Sequence, residues 1–374
     1  MTYMICAGEA SGDLHASELI SALRKQDPSA DFLFLGGDMM AEASGKQPAV
    51  HYRDMAFMGV FDVVRNLSKV RKNLATAEKL LLDVRPDALI LVDYPSFNLR
   101  LAKLAYQHSI PTYYYISPKV WAWKEYRTAK IAKYCRRVLA IFPFEPDFYA
   151  KHGYDSCTYV GNPSVEEIDR KLAVAAASSH FRRNHNLHND KPIIAIVPGS
   201  RLGEIKRNMP IMLEAAESFE SDYQIVIAGA PGVEPQIYSA TTKPVLFNST
   251  MELMHHATAA LVTSGTASLE AALAGVPQVV CYRHSGSRLT YAVMSRLLKI
   301  PYVTLPNLIA GRQIVPELLL HKCTADSVKN HLETILPNQP GRDEQLRGYE
   351  AIRRNLGITK AASTAAELIL KDLQ

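Results

Sequence analysis

The sequence has few cysteines, no long apolar run and only a small excess of positive over negative charge. Its five cysteines form no Cys-x-x-Cys pair and no metal-ligand spacing, which is typical of reduced thiols in a cytosolic protein. No apolar run approaches the roughly 18 residues that span a bilayer. The strand-like start at Tyr3–Ala7 lacks the charged leader of a signal peptide. A net charge of +5 is too small for a nucleic-acid binder, so we expect no nucleic-acid partner.

The 374 residues are 48% apolar and 21% charged, as in a soluble globular protein of more than one domain. Short β-branched runs alternate with helical patterns, which predicts βαβ units and mostly parallel sheets. The pattern breaks after Gly161-Asn162-Pro163 and restarts at Pro192. The predicted strands are Tyr3–Ala7, Asp31–Leu35, Ala88–Val92, Thr112–Ile116 and Val138–Phe142, then Ile193–Val197, Gln224–Ile227, Ala259–Val262 and Gln278–Cys281.

We therefore predict an α/β protein with two doubly wound, Rossmann-like domains facing a cleft. The predicted bounds are 1–164 for the first domain and 165–345 for the second. Residues 346–374 are predicted as C-terminal helices that pack back on the first domain, because Ala361–Leu373 carries apolar residues at helical spacing. Ligands of such sheets bind outside the carboxyl ends of the strands.

The loop 7–13, Ala-Gly-Glu-Ala-Ser-Gly-Asp, follows the first predicted strand and precedes a helix. Its glycines permit a sharp turn and close approach to a ligand, and a helix N-terminus favours negative charge. The spacing is not Gly-x-Gly-x-x-Gly, so a dinucleotide site is a poor fit. The loop presents Glu9 as a candidate site residue. The alternative is an ordinary tight turn in which Asp13 caps the helix.

Asp93 ends an almost wholly apolar strand and so lies at the mouth of the sheet. Partial desolvation there would raise the pKa of its carboxyl group toward a value suited to a general base. The alternative is that Asp93 or Asn98 caps the helix that follows.

Two loops of the second domain predict a nucleotide site. Ser200 and Arg201 follow one strand, and Ser264-Gly265-Thr266 follows another and opens a helix. Backbone N–H groups at such a start suit a diphosphate, and Arg201 could neutralise it by a forked contact. Glu270, one turn further on, could accept both hydroxyls of a ribose.

Both tryptophans, Trp121 and Trp123, follow Ile116-Ser117-Pro118, which indicates either a shaped site or two core indoles. A basic amphipathic helix is predicted over Val60–Leu74. Its cations on one face are Arg65, Lys69 and Lys72. Such a helix is typical of interfacial membrane binders, and its alternative is routine packing on the sheet.

Together these motifs resemble the lipid-A-disaccharide synthase family of inverting GT-B glycosyltransferases. The matching segments are the loop 7–13, Met58-Gly59, Asp93 with Phe97-Asn98, Ser117-Pro118 with Val120-Trp121-Ala122-Trp123, Pro143-Phe144-Glu145, Pro198-Gly199-Ser200-Arg201, Ser264-Gly265-Thr266-Ala267 with Leu269-Glu270, and Leu305-Pro306-Asn307. The family pattern is not matched at Ser96, Lys119, Lys124 and Asn162, so these four positions are assigned no role.

The resemblance implies that UDP-2,3-diacylglucosamine donates its sugar to lipid X, 2,3-diacylglucosamine 1-phosphate. The products would be the β-1,6-linked lipid A disaccharide 1-phosphate and UDP. Asp93 would be the base, and Glu9 would position the acceptor or be the alternative base. The residues implied for UDP are Ser200, Arg201, Ser264, Gly265, Thr266, Glu270 and Asn307. Those implied for the acceptor and its lipid chains are Met58, Phe61, Asn98, Trp121 and Trp123.

The resemblance also places the protein on the cytoplasmic surface of the inner membrane of a Gram-negative cell, where Arg65, Lys69 and Lys72 would meet anionic lipids. We see no Asp-x-Asp motif and expect no metal or other cofactor. The oligomeric state stays open, with a homodimer among the options. The alternatives are another GT-B UDP-sugar enzyme (a UDP-N-acetylglucosamine transferase or 2-epimerase) and a non-catalytic membrane-surface binding protein.

Overall fold

The computed structural model describes residues 1–55, 67–122, 124–177, 180–188, 190–283 and 301–374. They form two α/β units, one of Met1–Pro163 with Ile358–Gln374 and one of Ser164–Gly357. The sequence placed the start of the returning C-terminal segment at residue 346. In the structure, the chain up to Gly357 packs with the second unit, and the part that joins the first begins at Ile358.

A parallel sheet with the order β3-β2-β1-β4-β5-β6-β7 forms the centre of the first unit. Its strands are β1 (Thr2–Ala7), β2 (Asp31–Gly36), β3 (Val50–His51), β4 (Ala88–Val92), β5 (Thr112–Tyr115), β6 (Arg137–Ala140) and β7 (Cys157–Tyr159). Central strands are almost wholly apolar because both faces are covered: Tyr3 and Ile5 pack on one side, Met4 and Cys6 on the other. The chain reverses its direction of winding between β1 and β4, so their carboxyl ends mark the switch point.

The α-helices of the first unit are Ala10–Gln26, Asp38–Ser44, Leu67–Val84, Pro95–Gln107, Thr128–Tyr134, Glu145–Lys151 and Ala361–Leu373. The C-terminal helix packs against Ala10–Gln26, where Ala366 and Ile369 join the same buried cluster as Leu19. Its Asp372 accepts two hydrogen bonds from the Arg137 guanidinium, at 2.6 and 2.8 Å. This forked pair ties the last helix to β6.

The second unit has its own parallel sheet, in the order β10-β9-β8-β11-β12-β13. Its strands are β8 (Ile193–Val197), β9 (Gln224–Gly229), β10 (Val245–Phe247), β11 (Ala257–Thr263), β12 (Gln278–Tyr282) and β13 (Glu317–Leu319). Its α-helices are Pro163–Ala177, Phe181–Asn184, Leu202–Glu217, Thr250–His256, Thr266–Leu273, Leu305–Ala310, Ala325–Glu333 and Pro340–Leu356. The switch point of this sheet lies between β8 and β11.

The prediction of two doubly wound α/β sheets is confirmed. Every strand predicted from the sequence is present, with ends that differ by one or two residues at most. Among the described residues, no helix is both long enough and apolar enough to cross a membrane.

Candidate functional site

The end of β4 holds Asp93 in an unusual backbone conformation. Asp93 and Tyr94 both have positive φ, +44° and +47°, which costs free energy in residues other than glycine. Hydrogen bonds compensate for this strain. The Asp93 N–H donates to the Ile116 carbonyl at 3.1 Å, and the Asp93 carbonyl accepts from the Tyr114 hydroxyl at 2.7 Å. These two bonds therefore fix the backbone of Asp93, which carries the carboxylate.

Asn98 belongs to the same support and not to a lipid-binding surface. Its side chain is fully buried, and its Nδ2 donates to the carbonyls of Asp93 at 2.8 Å and Val92 at 3.2 Å. The helix Pro95–Gln107 has Tyr94 at its N-cap, with no side-chain capping bond. Both sequence interpretations of Asn98, acceptor contact and helix cap, are thus corrected: it holds the end of β4.

Gly8 is required by the close approach of an aromatic ring. A Cβ atom at Gly8 would lie 2.3 Å from Cγ of Tyr94, so no larger residue fits without a shift. The Tyr94 hydroxyl in turn donates to the Met55 carbonyl at 2.7 Å. The first loop and the end of β4 therefore pack directly on each other, and exposed Glu9 forms the N-cap position of the first helix.

The two carboxylates predicted for the site come together at the ends of adjacent strands. The Asp93 side chain retains an exposed face, while the surrounding protein removes much of its water. This desolvation raises the pKa of Asp93; the charge of Glu9 raises it further, and the Lys119 ammonium lowers it. A carboxyl group with a raised pKa is suited to general-base catalysis.

Asp13, predicted as a possible cap of its own helix, caps a different one. Its buried carboxylate accepts hydrogen bonds from the backbone N–H groups of Gly37 at 2.6 Å, Met39 at 3.1 Å and Met40 at 3.3 Å. These N–H groups open the helix Asp38–Ser44. Asp13 therefore joins the loop after β1 to the loop after β2 and leaves Glu9 as that loop's exposed carboxylate.

Trp121 is a core residue with a polar partner. Only 8% of it is exposed, and it packs edge-on against Phe142 and Phe144. Its Nε1 donates to the buried Glu145 carboxylate at 3.2 Å. The structure thus supports the core alternative for this tryptophan and not an acyl contact. Trp123 lies outside the described residues.

The predicted basic helix is only partly described. Met58, Phe61 and Arg65 lie outside the described residues, and the helix is given from Leu67 to Val84. Lys69 and Lys72 are exposed, while Leu74, Ala77 and Leu81 pack into the core of the first unit. Lys69 pairs with Asp54 at 2.7 Å, and because both side chains are exposed, the pair contributes little to stability. The lysines therefore lie on the solvent side, as predicted.

In the second unit, the loop after β8 is shaped by a carboxylate that the sequence analysis missed. Gly199 has a φ of +135°, and a Cβ there would lie 2.6 Å from Cβ of Glu204. Glu204 accepts from the Ser200 N–H at 3.2 Å and lies 3.8 Å from the Arg201 guanidinium. The N-cap of the helix that follows is Arg201 and not Ser or Thr, so the local sequence carries no capping-box signal for Glu204. Arg201 itself is 75% exposed and free to meet a ligand.

The loop after β11 offers its backbone to solvent. Gly265, with a φ of +131°, is the N-cap of the helix Thr266–Leu273, and a Cβ there would meet nothing within 4 Å. Ser264 is partly exposed, and Thr266 is exposed. Burial raises the pKa of Glu270, one turn further on. The charge of Lys171 lowers this pKa, and the charge of Glu167 raises it. The open helix start fits an anion.

Asn208 joins the two predicted nucleotide loops. It is fully buried, and its Nδ2 donates to the Pro198 carbonyl and the Thr263 Oγ1, each at 3.1 Å. Its Oδ1 accepts from the Arg283 N–H at 2.9 Å. The side chain thus fixes the ends of β8, β11 and β12. The sequence signal for it is an asparagine within an apolar stripe.

Asn307, predicted as a UDP contact, has no hydrogen-bonding capacity left for a ligand. Its Nδ2 donates to the Val315 carbonyl at 2.9 Å and to Glu317 at 2.8 Å. Its Oδ1 accepts from the N–H groups of Ile314 at 2.6 Å and Val315 at 2.9 Å. An amide makes about four such bonds in all. We therefore correct its role to holding its own loop.

The chain is similar to known proteins along nearly its whole length. A family model described as "Lipid-A-disaccharide synthetase" matches residues 3–371. A lipid-A-disaccharide synthase of Myxococcus xanthus is 38% identical over 98% of this chain and 96% of its own. One of Geobacter metallireducens is 33% identical over 99% of this chain and 97% of its own.

Solved structures share the fold at low sequence identity. A UDP-GlcNAc 2-epimerase of Neisseria meningitidis, bound to UDP-GlcNAc, has a TM-score of 0.64 at 14% identity, covering 99% of this chain and 100% of its own. The calicheamicin glycosyltransferase CalG4 has a TM-score of 0.60 at 14% identity, covering 99% and 98%. These similarities establish the GT-B-like architecture, and the full-length sequence matches establish the family. The chain belongs to the lipid-A-disaccharide synthase family.

Proposed function

We propose that this protein condenses UDP-2,3-diacylglucosamine with 2,3-diacylglucosamine 1-phosphate, giving the β-1,6-linked disaccharide 1-phosphate and UDP. The observation that carries the proposal is Asp93, a partly desolvated carboxylate held rigidly at the end of β4. Asp93 occurs in a chain that matches proteins named lipid-A-disaccharide synthase over nearly the whole length of both chains. The role is thus a step of lipid A biosynthesis.

The chemistry is a single displacement that needs one base. The acceptor 6-hydroxyl oxygen bonds to C1 of the donor sugar while the bond from C1 to the diphosphate breaks, and UDP leaves with the electron pair. Asp93 takes the hydroxyl proton. Glu9 positions the acceptor or is the alternative base. An α-linked donor gives a β-linked product because the attack occurs opposite the leaving group.

The loops of the second unit bind UDP in this proposal. Ser264, Gly265 and Thr266 offer N–H groups to the diphosphate, and Glu270 accepts from the ribose. The exposed Arg201 guanidinium stabilises the charge that develops on the leaving diphosphate. Glu204 and Asn208 hold these loops in place without touching the nucleotide.

Gly199→Ala is expected to weaken UDP binding at least tenfold without unfolding the second unit. The positive φ and the contact with Glu204 leave no space for a methyl group, so the loop carrying Ser200 and Arg201 must shift. Gly232→Ala is the matched control, because nothing lies within 4 Å of its Cβ position. Isothermal titration with UDP measures the effect, and equal affinities for both variants would contradict the loop's role.

The basic face of the helix Leu67–Val84, with Arg65 before it, binds the anionic membrane surface in this proposal. Each basic residue near such a surface contributes about 1 kcal/mol. Reversing Arg65, Lys69 and Lys72 to glutamate is therefore expected to release the protein from anionic vesicles in a co-sedimentation assay.

A control for that assay must change the net charge equally. Reversal of three exposed lysines elsewhere, Lys25, Lys151 and Lys322, meets this need. It should lower binding much less than reversal of the helix. If the two triple variants release the protein alike, the helix is not the binding surface.

The reaction itself is tested by incubating pure protein with both lipid substrates in mixed micelles without added metal. Mass spectrometry should detect the disaccharide phosphate, and chromatography should detect UDP in equal amount. A parallel incubation with UDP-N-acetylglucosamine distinguishes the alternatives. Turnover of this soluble sugar nucleotide alone would point to a transferase or epimerase of different specificity, and no turnover of either donor would favour a binding protein.

A further inference from the structure

The first unit contains a buried carboxylate that the proposed reaction does not use. Glu145 opens the helix Glu145–Lys151 and is only 1% exposed. Its Oε1 accepts from Ser117 Oγ at 3.3 Å and Trp121 Nε1 at 3.2 Å. Its Oε2 accepts from the backbone N–H groups of Ile141 at 3.1 Å and Phe142 at 3.0 Å. All four donors converge on one side chain.

These four bonds connect the chain after β5 with the chain after β6. Ser117 and Trp121 both belong to the segment 117–121, and residues 141 and 142 follow β6. Strand β5 is the direct neighbour of β4, and the carbonyl of Ile116, one residue before the segment, accepts from the Asp93 N–H. Glu145 therefore holds a segment that borders the proposed base.

Lys119 lies in the middle of that segment, between the two side chains that Glu145 binds. It is exposed, and its ammonium lowers the pKa of Asp93 against the effects of burial and of Glu9. The segment that Glu145 binds therefore carries a charge that acts on the proposed base.

We propose that Glu145 is a positioning residue that holds the segment Ser117–Trp121, and through it the Lys119 ammonium, beside the Asp93 carboxylate. This inference rests on the proposed function only for the consequence at Asp93. The link between Glu145 and the segment stands independently and has its own optical signal, because Trp121 and Trp123 are the only tryptophans in the sequence.

Burial raises the pKa of Glu145 to about 7, although its four hydrogen bonds oppose the shift. The other titratable groups that face it change protonation far from neutrality. Burial, and after it the charge of Glu145, raises the pKa of Tyr159 to about 12 and that of Cys157 above its usual value. Burial also raises the pKa of Tyr149, which donates to Ser117 at 3.2 Å. Among these groups Glu145 is the one expected to change protonation near pH 7, so we expect the tryptophan emission to change there.

Glu145→Gln is the informative substitution. The substitution preserves the size of the side chain but replaces one carboxylate oxygen by an NH₂ group. That group faces N–H or O–H donors that bind the oxygen in the wild-type protein, so the segment must move. Asp147→Asn makes the same chemical change at an exposed position of the same helix turn and is the control. We expect Glu145→Gln to abolish the emission change near pH 7 and Asp147→Asn to retain it.

Activity gives the second readout. Displacing Lys119 raises the pKa of Asp93, so the acidic limb of the kcat/KM profile should move to higher pH in Glu145→Gln, with an unchanged KM for the donor. Each unit of that rise lowers kcat/KM about tenfold on the limb. Lys119→Ser removes the charge but leaves the bonds of Glu145 in place, so it should move the limb in the same direction while keeping the emission change.

Ser117→Ala keeps the inference testable if Glu145→Gln does not fold. Losing the Ser117 donor raises the pKa of Glu145, so the midpoint of the emission change should move upward. The inference is overturned if Ser117→Ala leaves that midpoint in place, or if Glu145→Gln has the wild-type emission and pH profile. An emission change with no turnover by any variant would support the link to Glu145 and contradict the proposed function instead.

Discussion

Asp93→Asn is expected to lower kcat by a factor of about 10² to 10⁴, the range that general-base catalysis contributes. The variant retains the size of the side chain and loses the ability to take a proton. The backbone bonds that hold residue 93 involve its N–H and carbonyl, so the fold should persist. UDP binding should be nearly unchanged, because the residues assigned to UDP belong to the other unit.

The pH profile sharpens this prediction. Since burial and Glu9 raise the pKa of Asp93, activity should fall as the pH is lowered through that raised value, and the limb should disappear in Asp93→Asn. Asp155→Asn, at an exposed position of the same unit, is the control. If Glu9→Gln removes the limb instead, the roles of the two carboxylates are exchanged. A fully active Asp93→Asn enzyme would end the proposal.

Arg201→Ala is expected to lower the rate by about 10² to 10³, the usual loss when one preorganised donor to a developing charge is removed. The guanidinium is exposed, and its pairing with Glu204 at 3.8 Å contributes little to stability, so the thermal midpoint should not change. Arg201→Lys should recover part of the loss, because it keeps the charge without the forked geometry.

The control for Arg201 is Arg347→Ala, an exposed arginine on the helix Pro340–Leu356. Its rate should equal that of the wild-type protein. A loss of less than about tenfold in Arg201→Ala would contradict the assigned role. A large loss accompanied by a lower thermal midpoint would assign the effect to folding instead.

The fold was predictable where strands are central and not where they form edges. Central strands such as Ala88–Val92 are continuous apolar runs because helices cover both faces. The strands that the sequence analysis missed are Val50–His51, Cys157–Tyr159, Val245–Phe247 and Glu317–Leu319. Each is two or three residues long and lies at the edge of its sheet. A segment of this length is too short to show the alternation of apolar and polar residues that identifies a strand.

The candidate site was predictable where residues follow a strand directly. The sequence singles out Asp93, Arg201 and Gly265 because the carboxyl ends of parallel strands collect ligand-binding groups, and the structure places each of them in the loop after a strand. The buried polar residues that hold those loops were missed or misassigned. Asn208 bonds to Thr263, 55 residues away, and Glu145 to Trp121, 24 residues away. Such partnerships depend on tertiary packing, which no local pattern contains.

The most direct test of the account is the configuration of the bond that the protein makes. The purified enzyme would be given the α-linked UDP-2,3-diacylglucosamine and the acceptor, and the new linkage would be read by NMR from the coupling between H1 and H2 of the transferred sugar. A single displacement with Asp93 as its only base predicts a β linkage. An α linkage would require a second displacement or a different mechanism and would contradict the assignment of Asp93.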